Sequence, residues 1–256
     1  MENLPLFVLI GVFALLAVLD VIRPARPFEQ LPLWRAKGVL FFVLSVAVSS
    51  AVPLLTDEWL ARHQLIDASG LGIAGGAVVG VLVAQLVSYF WHRALHRVPF
   101  LWRFHQMHHS AERIDVYGAL YFHPLDIAGF TVVSSVALVL LVGVRAEAAV
   151  IASVTTSCIA IFNHANVKTP RWLGYIIQRP ENHAVHHERG VHAFNYGDIA
   201  LWDLVFGTHQ NPETWSGLGG YYPGASRRMA EMLLLADVTE EPAPREEPSR
   251  RDPLAA

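Results

Sequence analysis

Long apolar runs constrain the fold of this chain more than any other feature of its sequence. A helix needs about 20 apolar residues to cross the hydrocarbon core of a bilayer. Five runs approach that length: Leu4–Ile22, Lys37–Leu55, Leu71–Tyr89, Ile127–Val144 and Ala146–Phe162. The last two runs are almost contiguous and predict a helical hairpin. Because Asp20 interrupts the end of the first run, the sequence predicts an all-α polytopic membrane protein with four or five transmembrane helices.

Composition agrees with this class. Of the 256 residues, 53% are hydrophobic and only 16% are charged, whereas soluble domains carry about 25% charged residues. The net charge of −3 gives no indication of a nucleic-acid partner. The single cysteine, Cys158, excludes a disulfide framework and a cysteine-based zinc site. Any metal must therefore be bound by nitrogen and oxygen atoms, and the 13 histidines are the compositional feature that needs an explanation.

The distribution of basic residues predicts the orientation in the membrane. Glu2 stands where a cleavable signal peptide would carry basic residues, so the first run is expected to be a retained span. With the N-terminus outside and five crossings, all lysines and arginines except Arg62 and Arg145 lie on the cytoplasmic side. All histidines except His63 lie there too. We therefore expect one histidine-rich site on the cytoplasmic face, in a membrane that the tight loops suggest is a bacterial inner membrane.

Three regions are expected along the chain. Residues 1–70 form N-terminal transmembrane helices, and residues 71–210 form the domain that contains most of the histidines. Residues 211–256 form a cytoplasmic C-terminal segment, which is Pro-rich and charged from about Thr239 and is expected to be disordered from there. After the last span, the chain is expected to pack as short helices underneath the membrane domain, as a cytoplasmic-side helical cap that holds a His-rich dimetal site.

The histidines fall into three local patterns: His92-x-x-x-His96, His105-x-x-His108-His109 and His183-x-x-His186-His187. Residues three or four apart share one face of a helix. Neighbouring residues diverge by about 100°, so His108 and His109 are expected to serve different metal ions. Two further histidines, His123 and His164, flank the fourth and fifth spans on the same side of the membrane. The pattern predicts a centre for two metals, of a kind that imidazole binds well, such as zinc, copper, iron or nickel.

Other interpretations of these histidines remain open at this level. Clustered histidines at a membrane boundary also occur as interfacial polar residues or as a pH-sensing patch. A membrane zinc hydrolase would need a metal-bound water and a general base, but neither HExxH nor GxSxG is present. A metal transporter would place ionisable residues at mid-membrane, and the apolar runs contain no histidine. A haem-binding electron carrier would use only two to four of these side chains.

Taken together, these motifs resemble the membrane-bound fatty acid hydroxylase and sterol desaturase superfamily. The resemblance covers "HRALHRVPFLWRFHQMHHSAERIDVYGALYFHPLD", then "FNHAN", then "PENHAVHHERGVHAFNYGDIALWDLVFGT". This text is most similar to the bacterial sterol-desaturase-like and alkylglycerol-monooxygenase-like branch. Each HxxHH motif alone would be a weak signal, but the whole set in this order is specific.

The resemblance implies that residues 71–210 are the catalytic domain, similar to a fatty acid hydroxylase or sterol desaturase, and that they hold a dinuclear non-haem iron centre, with zinc as a possible substitute in purified protein. The catalytic ligands that it implies are the histidines of the three motifs: His92, His96, His105, His108, His109, His183, His186 and His187. It adds His164, and more weakly His123, as metal ligands. His192 and His209 have no counterpart in the superfamily pattern and are expected at the surface.

The implied activity is an O₂-dependent oxidation that consumes two electrons and hydroxylates, or desaturates, a C–H bond of a lipid such as a sterol, a fatty acyl chain or an alkyl lipid. The electrons would come from a separate donor of cytochrome b5, ferredoxin or pterin type. The alternative is a His-rich membrane protein that binds metal or carries electrons without oxygenase activity.

Several polar and aromatic residues near the motifs have candidate supporting roles. A metal-bound imidazole usually donates its second N–H to a neighbouring acceptor. The candidates for contact with the ligands are Asp126, Asn163, Asn166, Asn182 and Asp203. The tryptophans near the motifs are expected in the interfacial aromatic belt: Trp91, Trp102, Trp172 and Trp202. Small residues in the third span are expected to allow close helix packing: Gly72, Gly75, Gly76 and Gly80.

Overall fold

The computed structural model describes residues 3–243, and that range is helical throughout, apart from loops and two isolated antiparallel bridges. Five helices are long and apolar enough to cross a membrane. The all-α polytopic prediction is therefore confirmed, with five candidate crossings. The predicted disorder of the tail falls mostly on residues 244–256, which lie outside the described residues.

The five long helices begin and end close to the predicted apolar runs. They are α1 (Leu4–Ile22), α2 (Trp34–Arg62), α3 (Gly72–Leu95), α5 (Pro124–Ser135, continued by a π-helical turn to Leu141) and α6 (Ala146–Asn163). Helices α2 and α3 extend beyond the predicted runs because their polar ends remain helical outside the apolar stretch. In α3 this extension adds His92 to the last turn and places His96 at the C-cap.

Helix α3 lies against α6 and against the end of α5. The contact is made by small side chains: a Cβ atom on Gly76 would lie 3.0 Å from the Cβ of Ala148, and one on Gly80 would lie 3.1 Å from the Cβ of Ala152. Two of the four glycines singled out in this span therefore allow close packing, as predicted. The other two, Gly72 and Gly75, make no such contact with a neighbouring helix. Close packing of α3 and α6 brings their ends at the histidine-rich side together.

Short helices complete that side of the molecule: α4 (Pro99–His109), α7 (Pro180–His186) and α9 (Met229–Leu233). A further short helix, α8 (Ala200–Val205), lies between α7 and α9 in the chain. Helix α4 is fixed from outside by the C-terminal segment, since the Gln106 side chain donates to the carbonyl of Ala236 at 2.8 Å and accepts from the N–H of Val238 at 3.0 Å. The 3₁₀ helix Arg171–Tyr175 lies beside α8.

Helix α8 departs from the expected arrangement. Short helices after the last span were expected underneath the membrane domain, but the Trp202 indole N–H donates to the carbonyl of Leu82 at 3.0 Å. Leu82 lies near the middle of α3. Helix α8 is therefore placed along the side of a membrane-spanning helix. Sequence patterns could not have shown this, because the position depends on contacts between residues 120 positions apart.

Candidate metal centre

Four helices bring nine of the predicted ligands to one end of the bundle. Helix α3 contributes two histidines from its end, α4 contributes three, the C-cap of α6 contributes one, and α7 with its C-cap contributes three. The nine are His92, His96, His105, His108, His109, His164, His183, His186 and His187. All are buried except His96, which is half-buried. Helical spacing within each motif, together with the packing of these four elements, forms the cluster.

The first group contains five imidazoles, from His92, His96, His105, His109 and His186. Nε2 of His92 lies 3.0 Å from Nε2 of His105, 3.0 Å from that of His186 and 3.2 Å from that of His96. Nε2 of His109 lies 3.2 Å from that of His105. The same ring atom of every member is thus directed at one point.

The second group contains four imidazoles, from His108, His164, His183 and His187. Nε2 of His164 lies 3.1 Å from those of His108 and His183, and 3.2 Å from that of His187. His164 thus joins α6 to the two HxxHH motifs. The prediction that this isolated histidine lies with the motifs is supported by its position.

The two groups lie side by side, and adjacent histidines in the chain separate between them. The rings of His108 and His109 are nearly perpendicular, at 88°, and point into different groups. His186 and His187 divide in the same way, with an interplanar angle of 83°. The divergence predicted from helical geometry is therefore present in both HxxHH motifs.

Acceptors on the far side of the rings determine which nitrogen carries the proton. A backbone carbonyl accepts only, so a ring nitrogen that contacts one must carry the hydrogen. His92 Nδ1–H donates to the carbonyl of Tyr196, and His186 Nδ1–H to that of Phe194, both at 2.7 Å. In the second group, His164 Nδ1–H donates to the carbonyl of Ala160 at 2.8 Å. The Nε2 atoms of these neutral rings therefore present bare lone pairs.

Such lone pairs cannot satisfy one another. Nε2 of His92 and Nε2 of His186 both lack a proton, yet they lie 3.0 Å apart. Protonation does not relieve the conflict, because burial first and neighbouring histidines second hold the pKa of His186, His187, His108 and His183 well below its usual value. A cation at the centre of each group would bind these lone pairs. The residues therefore fit a pair of metal ions.

The spacing of the nitrogens is that of a coordination shell. A metal–nitrogen bond of about 2.1 Å places two ligands at right angles about 3.0 Å apart. The contacts of 3.0–3.2 Å in the five-histidine group match that value. Five imidazoles exceed the four ligands of a structural zinc site.

One predicted ligand is not brought into either group. Nδ1 of His123 accepts the backbone N–H of Leu125 at 3.1 Å and so caps α5, and its Nε2 lies 3.3 Å from the carbonyl oxygen of Leu233. The structure gives His123 a place at the junction between α5 and the C-terminal segment.

His192, expected at the surface, contacts the site instead. Its Nδ1 lies 3.1 Å from Nδ1 of His109, and its ring packs against Trp102. The loop reaches this position with a positive φ of 42° at His192, a conformation that the sequence pattern could not indicate. Trp102 itself packs against His96 and His109, with ring centroids 5.1 and 5.4 Å away, and so belongs to the site as well as to the membrane boundary. His209 is half-buried near Tyr175 and belongs to neither group.

Of the polar residues proposed to hold the ligands, Asp126 does so directly. Its Oδ2 accepts His105 Nδ1–H at 2.7 Å. Asp203 acts one step further away, because its Oδ1 accepts the N–H of Tyr196 at 2.8 Å, and the carbonyl of Tyr196 accepts from His92. The side chains of Asn163, Asn166 and Asn182 hold loops around the site by other hydrogen bonds.

Comparison with known proteins agrees with this site. Residues 77–208 match the sequence profile of the family described as fatty acid hydroxylase. The chain is 32% identical to ornithine lipid hydroxylase OlsE of Rhizobium tropici over 63% of its own length and 50% of that protein. It is 24% identical to sphinganine C4-monooxygenase 1 of Arabidopsis thaliana over 68% and 69% of the two chains.

A third relative is alkylglycerol monooxygenase of Homo sapiens, which is 31% identical over 48% of this chain and 28% of that protein. The chain therefore spans about half, or less, of the length of some of its curated relatives. No solved structure is significantly similar to it. The matched residues 77–208 contain all nine clustered histidines.

Proposed function

This chain belongs to the fatty acid hydroxylase family, and from that premise we propose that it is a membrane-bound di-iron oxygenase. In this proposal it uses O₂ and two electrons to hydroxylate, or alternatively desaturate, a C–H bond of a lipid. The observation that carries the proposal is the pair of adjacent all-imidazole groups, whose unprotonated Nε2 atoms converge. Hydroxylation is favoured because the three relatives described above are named as a hydroxylase or as monooxygenases.

The five-histidine group and the four-histidine group would each hold one iron ion. Bound iron would supply the activation of O₂ that an unreactive C–H bond requires. The chain's own residues orient and shield the ligands. Phe122 stacks on the ring of His108 at 3.9 Å, and Phe130 lies edge-on to His92 at 5.8 Å. These aromatic rings cover the two histidines and would limit the access of water to them.

Four of the imidazoles, those of His92, His105, His164 and His186, are also held in a fixed protonation state. Backbone carbonyls and Asp126 accept their Nδ1–H groups, which keeps the Nε2 lone pairs available for metal. Such outer contacts fix the ring orientation and raise the basicity of the ligand nitrogen. The polypeptide thus prepares both groups before a metal arrives.

A lipid substrate is proposed because the site lies at the end of membrane-spanning helices. The relatives are named for ornithine lipid, sphinganine and alkylglycerol, molecules that share a long hydrocarbon chain and a polar head. We propose a substrate of this kind. A separate electron donor and a site on the cytoplasmic side of a bacterial inner membrane complete the proposal.

The proposal is tested by measuring metal and product together. Protein purified anaerobically in detergent should contain about two iron ions per chain, with Mössbauer signals of a coupled pair. A His108→Ala, His186→Ala double variant removes one ligand from each group and should lose those signals. Lipid extracts of cells with and without the protein should differ by a product that is heavier by one oxygen atom, or lighter by two hydrogen atoms.

The results separate the proposal from its rivals. Iron without any change in the lipids would favour the alternative, a metal-binding or electron-carrying membrane protein. Absence of iron, with at most one zinc ion that survives both substitutions, would contradict the di-iron centre. Zinc in an aerobic preparation is uninformative, because imidazole sites accept several divalent metals.

A further inference from the structure

The segment that follows the third histidine motif lies alongside the membrane-spanning helix α3. Asp198 pairs with the side chain of Gln85, Trp202 donates to the carbonyl of Leu82, and the Thr208 hydroxyl lies 3.0 Å from that of Tyr89. Residues 198–208 therefore run beside residues 82–89 of the helix. This places them next to the central part of a membrane-spanning helix.

The length of α3 determines how deep this segment lies in the membrane. The helix has 24 residues, and any stretch of about 20 of them that fills the hydrocarbon core includes both Leu82 and Tyr89. At about 1.5 Å per residue, Leu82 is then more than about 10 Å from the boundary on the histidine side. Trp202 lies in hydrogen-bond contact with Leu82 and shares its depth.

Irregular backbone at membrane depth is tolerated only where its polar groups are satisfied within the protein. The turn before α8 meets this requirement. Oδ1 of Asp203 accepts the N–H of Tyr196, and its Oδ2 accepts that of Gly197, both at 2.8 Å. The Gln85 side chain accepts the N–H of Asp198 at 2.8 Å and donates to its carboxylate at the same distance.

The surface of α8 that faces away from α3 is apolar. Leu201, Leu204 and Val205 are 41%, 46% and 59% exposed. The charged residue of this helix, Asp203, points inward and is fully buried. The adjoining 3₁₀ helix exposes Trp172 and Tyr175. In water such a surface would be unfavourable, whereas acyl chains would cover it without cost.

The apolar face also continues the lipid-facing surface of α3, where Val78 is 61% exposed and Leu82 is 36% exposed. Lys168, which precedes the 3₁₀ helix, and Arg171, its first residue, are exposed and add positive charge at the edge of this face, as expected where anionic lipid head groups are near. The apolar face of α8 thus continues the lipid-facing surface of α3 on one side and is bordered by basic residues on the other. Both features indicate that lipid covers this face.

We propose that residues 196–208 form a re-entrant element, which enters the acyl-chain layer beside α3 without crossing the membrane. Helix α8 is its buried tip, and the Asp203 and Gln85 hydrogen bonds make its backbone compatible with that layer. The loop that positions His92 and His186 is therefore supported from within the bilayer. This proposal does not depend on the identity of the metal or on catalysis.

Spin-label accessibility in lipid nanodiscs tests the proposal. In a Cys158→Ala background, a nitroxide would be attached at Leu204→Cys and, as an independent second site, at Val205→Cys. Val78→Cys provides a matched control on the lipid-facing side of α3, and Glu213→Cys provides one on an exposed polar loop. Relaxation by O₂, which partitions into hydrocarbon, is compared with relaxation by a water-soluble nickel chelate.

The expected oxygen-to-nickel ratio at Leu204 and Val205 equals that at Val78 and is on the order of tenfold above that at Glu213, because a polar chelate is excluded from an apolar phase. A ratio equal to that at Glu213 would overturn the proposal and place α8 in water. Protection from both reagents would also overturn it, since another protein surface, such as a second copy of the chain, would then cover the helix.

Discussion

Oδ2 of Asp126 lies 2.7 Å from Nδ1 of His105, and both side chains are almost completely buried. Asp126 lies in the first turn of α5, whereas His105 lies on α4. The hydrogen bond therefore joins the start of a membrane-spanning helix to a member of the five-histidine group. Through this hydrogen bond, the carboxylate of Asp126 contacts one imidazole of the five-histidine group.

We expect Asp126→Asn to weaken metal binding in the five-histidine group by about 10- to 100-fold, as losses of comparable outer contacts do. The amide keeps the shape of the carboxylate but removes its negative charge. Iron retained per chain after dialysis against a chelator measures the effect. Glu58→Gln, at an exposed position at the far end of α2, is the control. Equal retention in both variants would contradict the role assigned to Asp126.

The ligand assignment is tested by comparing His164→Ala with His123→Ala. The first substitution removes a member of the four-histidine group and should reduce the iron content from about two ions to about one. The second removes the cap of α5, which costs about 1 kcal/mol in stability, and the contact with the carbonyl of Leu233, but no member of either group, and should leave the iron content unchanged. Loss of one iron from the His123→Ala protein would show that His123 is a ligand after all.

The stability of the metal-free protein should depend on pH with a defined sign. Burial lowers the pKa of His164 and of His192 to about 4, from 6.5 for an ordinary histidine. Between pH 6.5 and pH 4 the unfolded chain therefore binds more protons at these two histidines than the folded protein does. Their contribution to the free energy of unfolding is fully present above pH 6.5 and is lost as the pH falls toward 4. The apparent melting temperature in detergent should decrease over this range. A melting temperature that is constant or rises on acidification would contradict the assignment.

Asp203→Asn should disturb the five-histidine group from a distance. The carboxylate accepts four hydrogen bonds, from Tyr196, Gly197, Gln178 and Thr208, and an amide nitrogen cannot accept any. Each buried donor left without a partner costs about 1–3 kcal/mol. The substitution should lower both the melting temperature and the iron content, whereas Glu213→Gln at an exposed loop position should change neither. An unchanged iron content in the Asp203→Asn protein would show that the hydrogen bonds of Asp203 do not support the five-histidine group.

Local periodicity predicted a large part of the structure. Five apolar runs became five helices, and spacings of three and four residues correctly indicated which histidines share a face. The separation of His108 from His109 also followed from helix geometry alone. These features depend on residues within one or two turns of each other, where the sequence pattern is directly informative.

Long-range packing and loop conformation were not accessible in the same way. Several polar residues near the motifs appeared equally able to contact a ligand, and only the packing of α5 on α4 shows that Asp126 does so. His192 reaches His109 through a backbone conformation with positive φ. The place of α8 along α3 depends on Trp202 and Leu82, which are far apart in the chain.

The absence of carboxylates from the two groups has an electrostatic consequence. Among residues 3–243, the candidate ligands of both groups are neutral imidazoles alone. Two divalent ions bound there would keep nearly their full formal charge in a buried environment, with Asp126 as the anion in contact with a ligand. Uncompensated positive charge disfavours further loss of electrons, so such a pair should be reduced more easily than one bridged by carboxylates. It should also bind small anions, and azide or fluoride would therefore be sensitive reporters of the loaded site.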